Sequence, residues 1–158
     1  CGNGLEIIKD SEIIDTIIIS GMGGLLTIDV LKSNEKAVKN ANQLILQPQR
    51  DIEKVRAYLH SINYKIINEE MLMESGKYYT IINAVKGSDE EYSEIEYYFG
   101  KFLLNKKSAV LKKFIDHEYK KINIVLDNIS NNAVENADER ISQLKHLKSL
   151  YEEALKCL

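Results

Sequence analysis

The sequence has no tryptophan, a single proline at Pro48, and two cysteines at opposite ends, Cys1 and Cys157. Two thiols so far apart argue against a disulfide scaffold and against a zinc site, and fit a cytoplasmic protein with free thiols. No other cluster of metal ligands stands out. No apolar run approaches the roughly 18 residues of a membrane span, so no membrane partner is expected. There is no carboxylate pair or Ser/His/Asp set of the kind that supports hydrolysis. Two nucleotide signatures are also absent: GxGxxG would need glycine where Leu26 stands, and no Gly-Lys-Ser/Thr completes a P-loop. What remains is a chain of 158 residues, 44% apolar and 28% charged, with a formal net charge of -3. That is ordinary globular composition for one medium domain, or a domain with an appendage.

The stretch around which the chain is organised is Asp15 to Gly24. Thr16-Ile17-Ile18-Ile19 reads as a strand buried on both faces, as in the middle of a parallel sheet. It ends in Ser20-Gly21-Met22-Gly23-Gly24, and Leu25 to Leu31 resumes with helical spacing. Strand, glycine turn and helix form the unit whose crevice holds ligands in open α/β folds. Glycines between a strand and a helix are equally consistent with a simple tight turn.

Around this unit the chain reads β-α-β-α-β-β. A short helical piece at Leu5 to Lys9 and a polar break at Asp10-Ser11-Glu12 precede the strand. The following helix covers roughly Leu25 to Ser33, and Asn34 to Asn42 is a polar connection. Gln43 to Leu46 is a second buried strand, closed by Gln47-Pro48-Gln49. Asp51 is placed to cap a helix from Ile52 to Ile62. Tyr64 to Met73 and Lys77 to Val85 are strands joined by Glu74-Ser75-Gly76, which predicts an antiparallel hairpin with one antiparallel edge strand.

After Gly87 the strand pattern ends. Tyr92, Ile95, Tyr98 and Phe99 suggest a helical turn or two, broken at Gly100. Ser108 can cap a long helix to about Ile129, Asn131-Asn132 marks a bend, and a second helix runs from about Asp138 to the end. Their apolar stripes approximate heptads, which predicts an antiparallel helical hairpin, a short coiled coil. The expected division is therefore 1–88 and 89–158. Lys101, Lys106, Lys107, Lys112, Lys113, Lys120 and Lys121 crowd the start of this second region, opposed only by Asp116 and Glu118. Such a run is either a solvated face or an electrostatic footprint for phosphates, suited to backbone contact and not to sequence readout.

Several segments, taken in order, resemble the bacterial tRNA (adenine-22-N1)-methyltransferases. They are the Asp15 to Ser20 strand with its Gly-Met-Gly-Gly turn, Leu44-Ile45-Leu46-Gln47-Pro48 before an Arg50-containing helix, and Glu69-Glu70 leading through Gly76-Lys77-Tyr78-Tyr79 into the last strand. Tyr98-Phe99-Gly100 before the long helices is similar too. The resemblance implies a class I, S-adenosylmethionine-dependent enzyme, with a Rossmann-like catalytic domain and a C-terminal helical coiled-coil domain that binds tRNA. Gly2-Asn3-Gly4-Leu5 looks like the family's Gly-Asp-Gly-Leu segment. On that reading the chain is the C-terminal portion of the enzyme, entering halfway through the catalytic domain, and self-association through an exposed sheet edge is expected. Asn3 stands where the family usually has Asp, and it accepts through its carbonyl oxygen instead. Lys101 follows Gly100 where a proline would be more usual.

By the resemblance, Ser20, Gly21, Met22 and Gly23 face the target base, and Asn3, Gly4, Ser20 and Gly21 contact S-adenosylmethionine. From the charge pattern, Lys106, Lys107, Lys112, Lys113, Lys120 and Lys121 are expected to contact tRNA, and no metal is expected. Gln47 and Gln49, after the neighbouring strand, fall on the same side of the sheet as the turn and are expected to line the base pocket. The competing reading is a non-catalytic RNA-binding or oligomerisation module made of an α/β piece and a helical hairpin.

Overall fold

Two rows of side chains explain the first part of the fold. In a computed structural model, which describes residues 4–9, 12–131 and 138–158, strands β1 (Thr16–Met22), β2 (Gln43–Pro48), β3 (Tyr64–Glu74) and β4 (Lys77–Lys86) form one sheet in the order β1-β2-β4-β3. The register sets Ile17, Leu44, Ala84 and Ile66 in one row and Ile19, Leu46, Ile82 and Glu69 in the next. All of these are buried. Helices α1 (Gly24–Lys32) and α3 (Ile52–Ser61) bring Ile28, Leu31, Val55 and Leu59 to the same core. The mixed α/β class read from the sequence is thus the observed one.

Four local readings change. β1 is not buried on both faces: Ile17 and Ile19 are inside, but Ile18 is 68% exposed. Among the described residues β1 pairs only with β2, and helices fill one face of it. The antiparallel strand is not at the edge. β4 runs antiparallel to both β2 and β3 and lies between them. Its centre, Thr80 to Val85, carries no charge, whereas β3 carries Lys65, Glu70 and Glu74, and the charged strand takes the edge, where unpaired backbone needs protection. The polar connection contains a helix, α2 (Glu35–Asn40). Asn34 caps it by accepting from the Ala37 N–H at 3.0 Å, and its amide donates to the Leu5 and Ile8 carbonyls. Asp51 sits at the start of α3 but does not cap it through its side chain, because its φ is 52° and its carboxylate is taken by Lys54 at 2.7 Å.

The core also holds a charge pair. Arg56 on α3 and Glu69 on β3 are 1% and 0% exposed, with Nε 2.7 Å from Oε1. A register shift between Ile66 and Asn68 makes this possible. The bulge re-phases the strand, so that Glu69, and not Asn68, points inward. The segment after β4 closes over the pair. Tyr92 is buried, donates to Asp89 at 3.3 Å, and stacks edge-on against His60 with ring centres 4.5 Å apart. Burial, with Asp89 and Glu69 nearby, pushes the Tyr92 hydroxyl well above the usual tyrosine range. Tyr64 donates its buried hydroxyl to the carbonyls at the end of α2, Val38 at 2.6 Å and Ala41 at 2.5 Å.

The chain divides into two compact units, Cys1–Ser93 and Glu94–Leu158. The second holds α4 (Glu94–Phe99), α5 (Lys101–Asn105), α6 (Ala109–Asn131) and α7 (Asp138–Cys157). Ser108 caps α6 as expected, accepting from the Leu111 N–H at 3.3 Å. Helices α6 and α7 pack together, with Tyr119 donating to Glu152 at 2.8 Å and lying 5.4 Å from the Lys148 ammonium. Asn3, the break at Asp10-Ser11 and Asn132 lie outside the described residues. Among the described residues no helix is long and apolar enough to cross a membrane, and no group of side chains is arranged to hold a metal.

Candidate active site at the carboxyl end of the sheet

The glycine turn is built by an irregularity in the ladder. Ser20 faces Gln47 and Met22 faces Pro48, so Gly21 is an extra residue in β1. Its φ is 77°, a left-handed conformation that glycine adopts without a Cβ penalty. Bulges of this kind re-aim the chain beside functional sites. The bulge takes the Gly21 N–H out of the strand ladder, and the Gln47 side chain receives it, with Oε1 at 2.9 Å. The other hydrogen-bonding end of Gln47, Nε2, is buried and has no partner among the described residues.

The next two glycines serve a different purpose. Gly24 opens α1 and donates its N–H to the Arg50 carbonyl at 2.8 Å. A Cβ there would come within 2.5 Å of the Arg50 and Asp51 carbonyl oxygens. A Cβ on Gly23 would meet the Arg50 side chain at 3.0 Å. Gln49 donates its N–H to the Met22 carbonyl at 2.8 Å, and Thr27 returns its own hydroxyl to the Gly23 carbonyl at 3.1 Å. The space beside Gly23 and Gly24 is thus taken up by the turn at Arg50-Asp51, while Ser20 and Gly21 are exposed and the room around Gly21 is open.

The structure therefore brings Ser20, Gly21, Met22 and Gly23 together with Gln47 at one end of β1 and β2. Gly4, with φ 56°, borders a separate cavity of about 180 Å3 lined with Leu26, Asp29 and Val30 but by none of Ser20 to Gly23. In the second unit Lys106, Lys107, Lys112, Lys113, Lys120 and Lys121 are all exposed. Lys113 and Lys120, seven residues apart, lie on the side of α6 opposite the buried Leu111, Ile115 and Ile122. Lys121 is engaged by Glu118 at 2.6 Å. Sequence reading placed Gln47 near the turn but gave it no bond. The signal for one was its position directly across a parallel ladder from the residue before a glycine.

A model of the tRNA (adenine(22)-N(1))-methyltransferases matches residues 1–151. The chain belongs to this family. The Bacillus subtilis tRNA (adenine(22)-N(1))-methyltransferase is 32% identical over 160 residues, which is 98% of this chain and 67% of that protein. A Listeria monocytogenes structure described as an uncharacterized protein superposes with a TM-score of 0.91 at 32% identity, covering 98% of this chain and 68% of its own. A Streptococcus pneumoniae candidate tRNA (m1A22) methyltransferase was solved with S-adenosyl-L-methionine. It gives a TM-score of 0.84 at 27% identity, over 98% of this chain and 66% of its own. This member of the methyltransferase family thus spans about two thirds of the relatives it matches, and its similarity to them runs through both units.

Proposed function

We propose that this chain serves S-adenosylmethionine-dependent methyl transfer to N1 of adenine 22 in tRNA. The observation that carries the reading is the family match over residues 1–151, which includes the bulged glycine turn at the carboxyl end of β1. In this reading 1–88 is the C-terminal half of a Rossmann-like methyltransferase domain. Residues 89–158 are a coiled-coil-like helical hairpin that takes up tRNA through Lys106, Lys107, Lys112, Lys113, Lys120 and Lys121, and a cytoplasmic location goes with it. The cavity beside Gly4, about 180 Å3, is smaller than the roughly 300–1,000 Å3 of pockets that enclose whole small-molecule ligands. In this reading Gly4 at that cavity and the separate Ser20-Gly21 turn hold different parts of the cofactor.

The bound cofactor supplies an electrophilic methyl group on a sulfonium. Adenine N1 already carries a free lone pair, so the chain need not provide a base to create the nucleophile. Its work is to hold N1 in line and to exclude other poses. N1 lies on the pairing edge, so the base must leave its stack to reach the turn. Ser20 and Gly21, exposed at the strand end, with Met22 and Gly23 half-buried beside them, are the groups to receive it.

The test uses the protein expressed from its complete reading frame, S-adenosylmethionine and a tRNA with adenine at position 22. An N1-methyl blocks pairing, so primer extension is expected to stop at that base, and a tRNA with guanine there should give no stop. Binding of tRNA with no stop would replace this reading with the RNA-binding module.

A further inference from the structure

The first compact unit contains two arginines, and they are placed differently. Arg56 is buried and neutralised by Glu69. Arg50 is exposed and lies at the glycine turn. Its side chain runs across Gly23: a Cβ on that glycine would come within 3.0 Å of Nε, 3.5 Å of Cγ and 3.7 Å of Nη2. The backbone around it is pinned. The Gly24 N–H donates to the Arg50 carbonyl at 2.8 Å, and the Gln49 N–H donates to the Met22 carbonyl at 2.8 Å. No carboxylate among the described residues forms an ion pair with the guanidinium. The Asp51 carboxylate, next in the chain, is held by Lys54 at 2.7 Å. A cation is thus laid against the turn that contains Ser20 to Gly23, with its charge left unneutralised by the described residues.

We infer that Arg50 grips a phosphodiester flanking the target adenosine and so holds that nucleotide out of its stack. The inference rests on the methyltransferase reading and adds to it the group that positions the substrate backbone. Extruding a base swings its nucleotide about the backbone, so a base received at the turn brings its own flanking phosphates close to the same turn. Gly21 and Gly23 are two residues apart, at most about 7 Å along the chain, which is within the span of one nucleotide. A guanidinium suits the task. It stays charged at any working pH, and its planar fork of donors matches two phosphate oxygens at once. Gly23 makes the placement possible, because the missing Cβ lets the arginine lie flat against the turn. Such a contact carries no base information and sets register and orientation only. That separates Arg50 from the lysines proposed on α6, which belong to the other unit and serve affinity for the tRNA as a whole.

The experiment uses the protein from its complete reading frame and three tRNAs: one unmodified, and two with a neutral methylphosphonate in place of the phosphodiester on the 5′ or the 3′ side of the target adenosine. The unmutated protein should lose about ten- to a hundredfold in kcat/KM on one of the two modified tRNAs, the value of a hydrogen bond to a charged group. Arg50→Ala should lose about as much on the unmodified tRNA and nothing further on that modified one. Arg50→Lys keeps the charge without the fork, so its rate on unmodified tRNA should fall between the two, and its methylphosphonate penalty should be smaller than that of the unmutated protein. It serves if the alanine variant does not fold. KM for S-adenosylmethionine should be the same in all three proteins. Equal rates of the unmutated protein on the three tRNAs would overturn the inference. So would a full methylphosphonate penalty in either variant, or a KM for S-adenosylmethionine that rises with the loss of Arg50, since the arginine would then act on the cofactor. Absence of methylation on the unmodified tRNA by the unmutated protein would instead overturn the methyltransferase reading, and the inference with it.

Discussion

Two polar arrangements on the sheet behave differently. At Arg56 and Glu69 two opposite charges, 1% and 0% exposed, meet at 2.7 Å and satisfy each other. At the end of β1 one amide atom is matched to Gly21 and the other has no partner among the described residues. The first arrangement is closed: each charge has its counter-charge inside the core, and Tyr92 and Asp89 lie over it. The second is half satisfied, with Nε2 enclosed by the fold itself. The difference teaches that burial of a polar group does not mark a site.

Removing one partner of the closed pair should have the largest effect. Glu69→Ala leaves Arg56 as an uncompensated buried charge, and breaking such a pair costs about 3–5 kcal/mol. Urea unfolding of the variant should show a loss of that order, and a change below about 1 kcal/mol would mean that the guanidinium finds water or another acceptor. Because the pair takes no part in the proposed chemistry, whatever folded protein remains should keep its preference for a tRNA with adenine at position 22.

The glycine turn contains a sharper version of the same contrast. Gly24 has ordinary helical geometry but no space, with carbonyl oxygens 2.5 Å from where a Cβ would be. Gly21 has space but a φ of 77°. Gly24→Ala should therefore reach the upper end of the ~1–3 kcal/mol expected for overpacking, since backbone oxygens cannot rotate away. Gly21→Ala should stay near ~1–2 kcal/mol, the left-handed penalty, and should also displace the bond to Gln47. Thermal melts of the two variants should fall in that order. A Gly21 variant less stable than the Gly24 variant would show that the bulge, and not the close approach of α1 to Arg50, organises the turn.

Much of this was legible in the sequence because it depends on local pattern. Thr16-Ile17-Ile18-Ile19 before three glycines gave the strand and its turn, Gly76 between two apolar runs gave the hairpin, and Ser108 gave the start of α6. What was not legible depends on pairing across the sheet. An unbroken apolar run cannot reveal that Ile18 is exposed, since that depends on which face the helices choose. The sequence shows β3 and β4 as a hairpin but not which of them pairs with β2. The inward turn of Glu69 needs the bulge at Ile67, which appears only in the register. For the site, the glycines stood out, but the Gly21–Gln47 bond joins residues 26 apart in sequence, and no spacing rule announces it.

The smallest effects on stability belong to the lysines, and they extend the comparison to charges that are neither buried nor closed. Lys112, Lys113 and Lys120 are exposed, so replacing all three with alanine should leave stability within about ±0.5 kcal/mol per site. Their consequence should appear in binding. If each meets one phosphate, the slope of log affinity against log salt should fall by about 0.7–0.9 for each lysine removed, in a filter-binding titration with tRNA. Lys121→Ala should change the slope less, because Glu118 holds that ammonium at 2.6 Å and already offsets its charge. An unchanged slope in the triple variant would identify the lysines as a solvated face, and the phosphate contacts would then have to be sought on other surfaces of the protein.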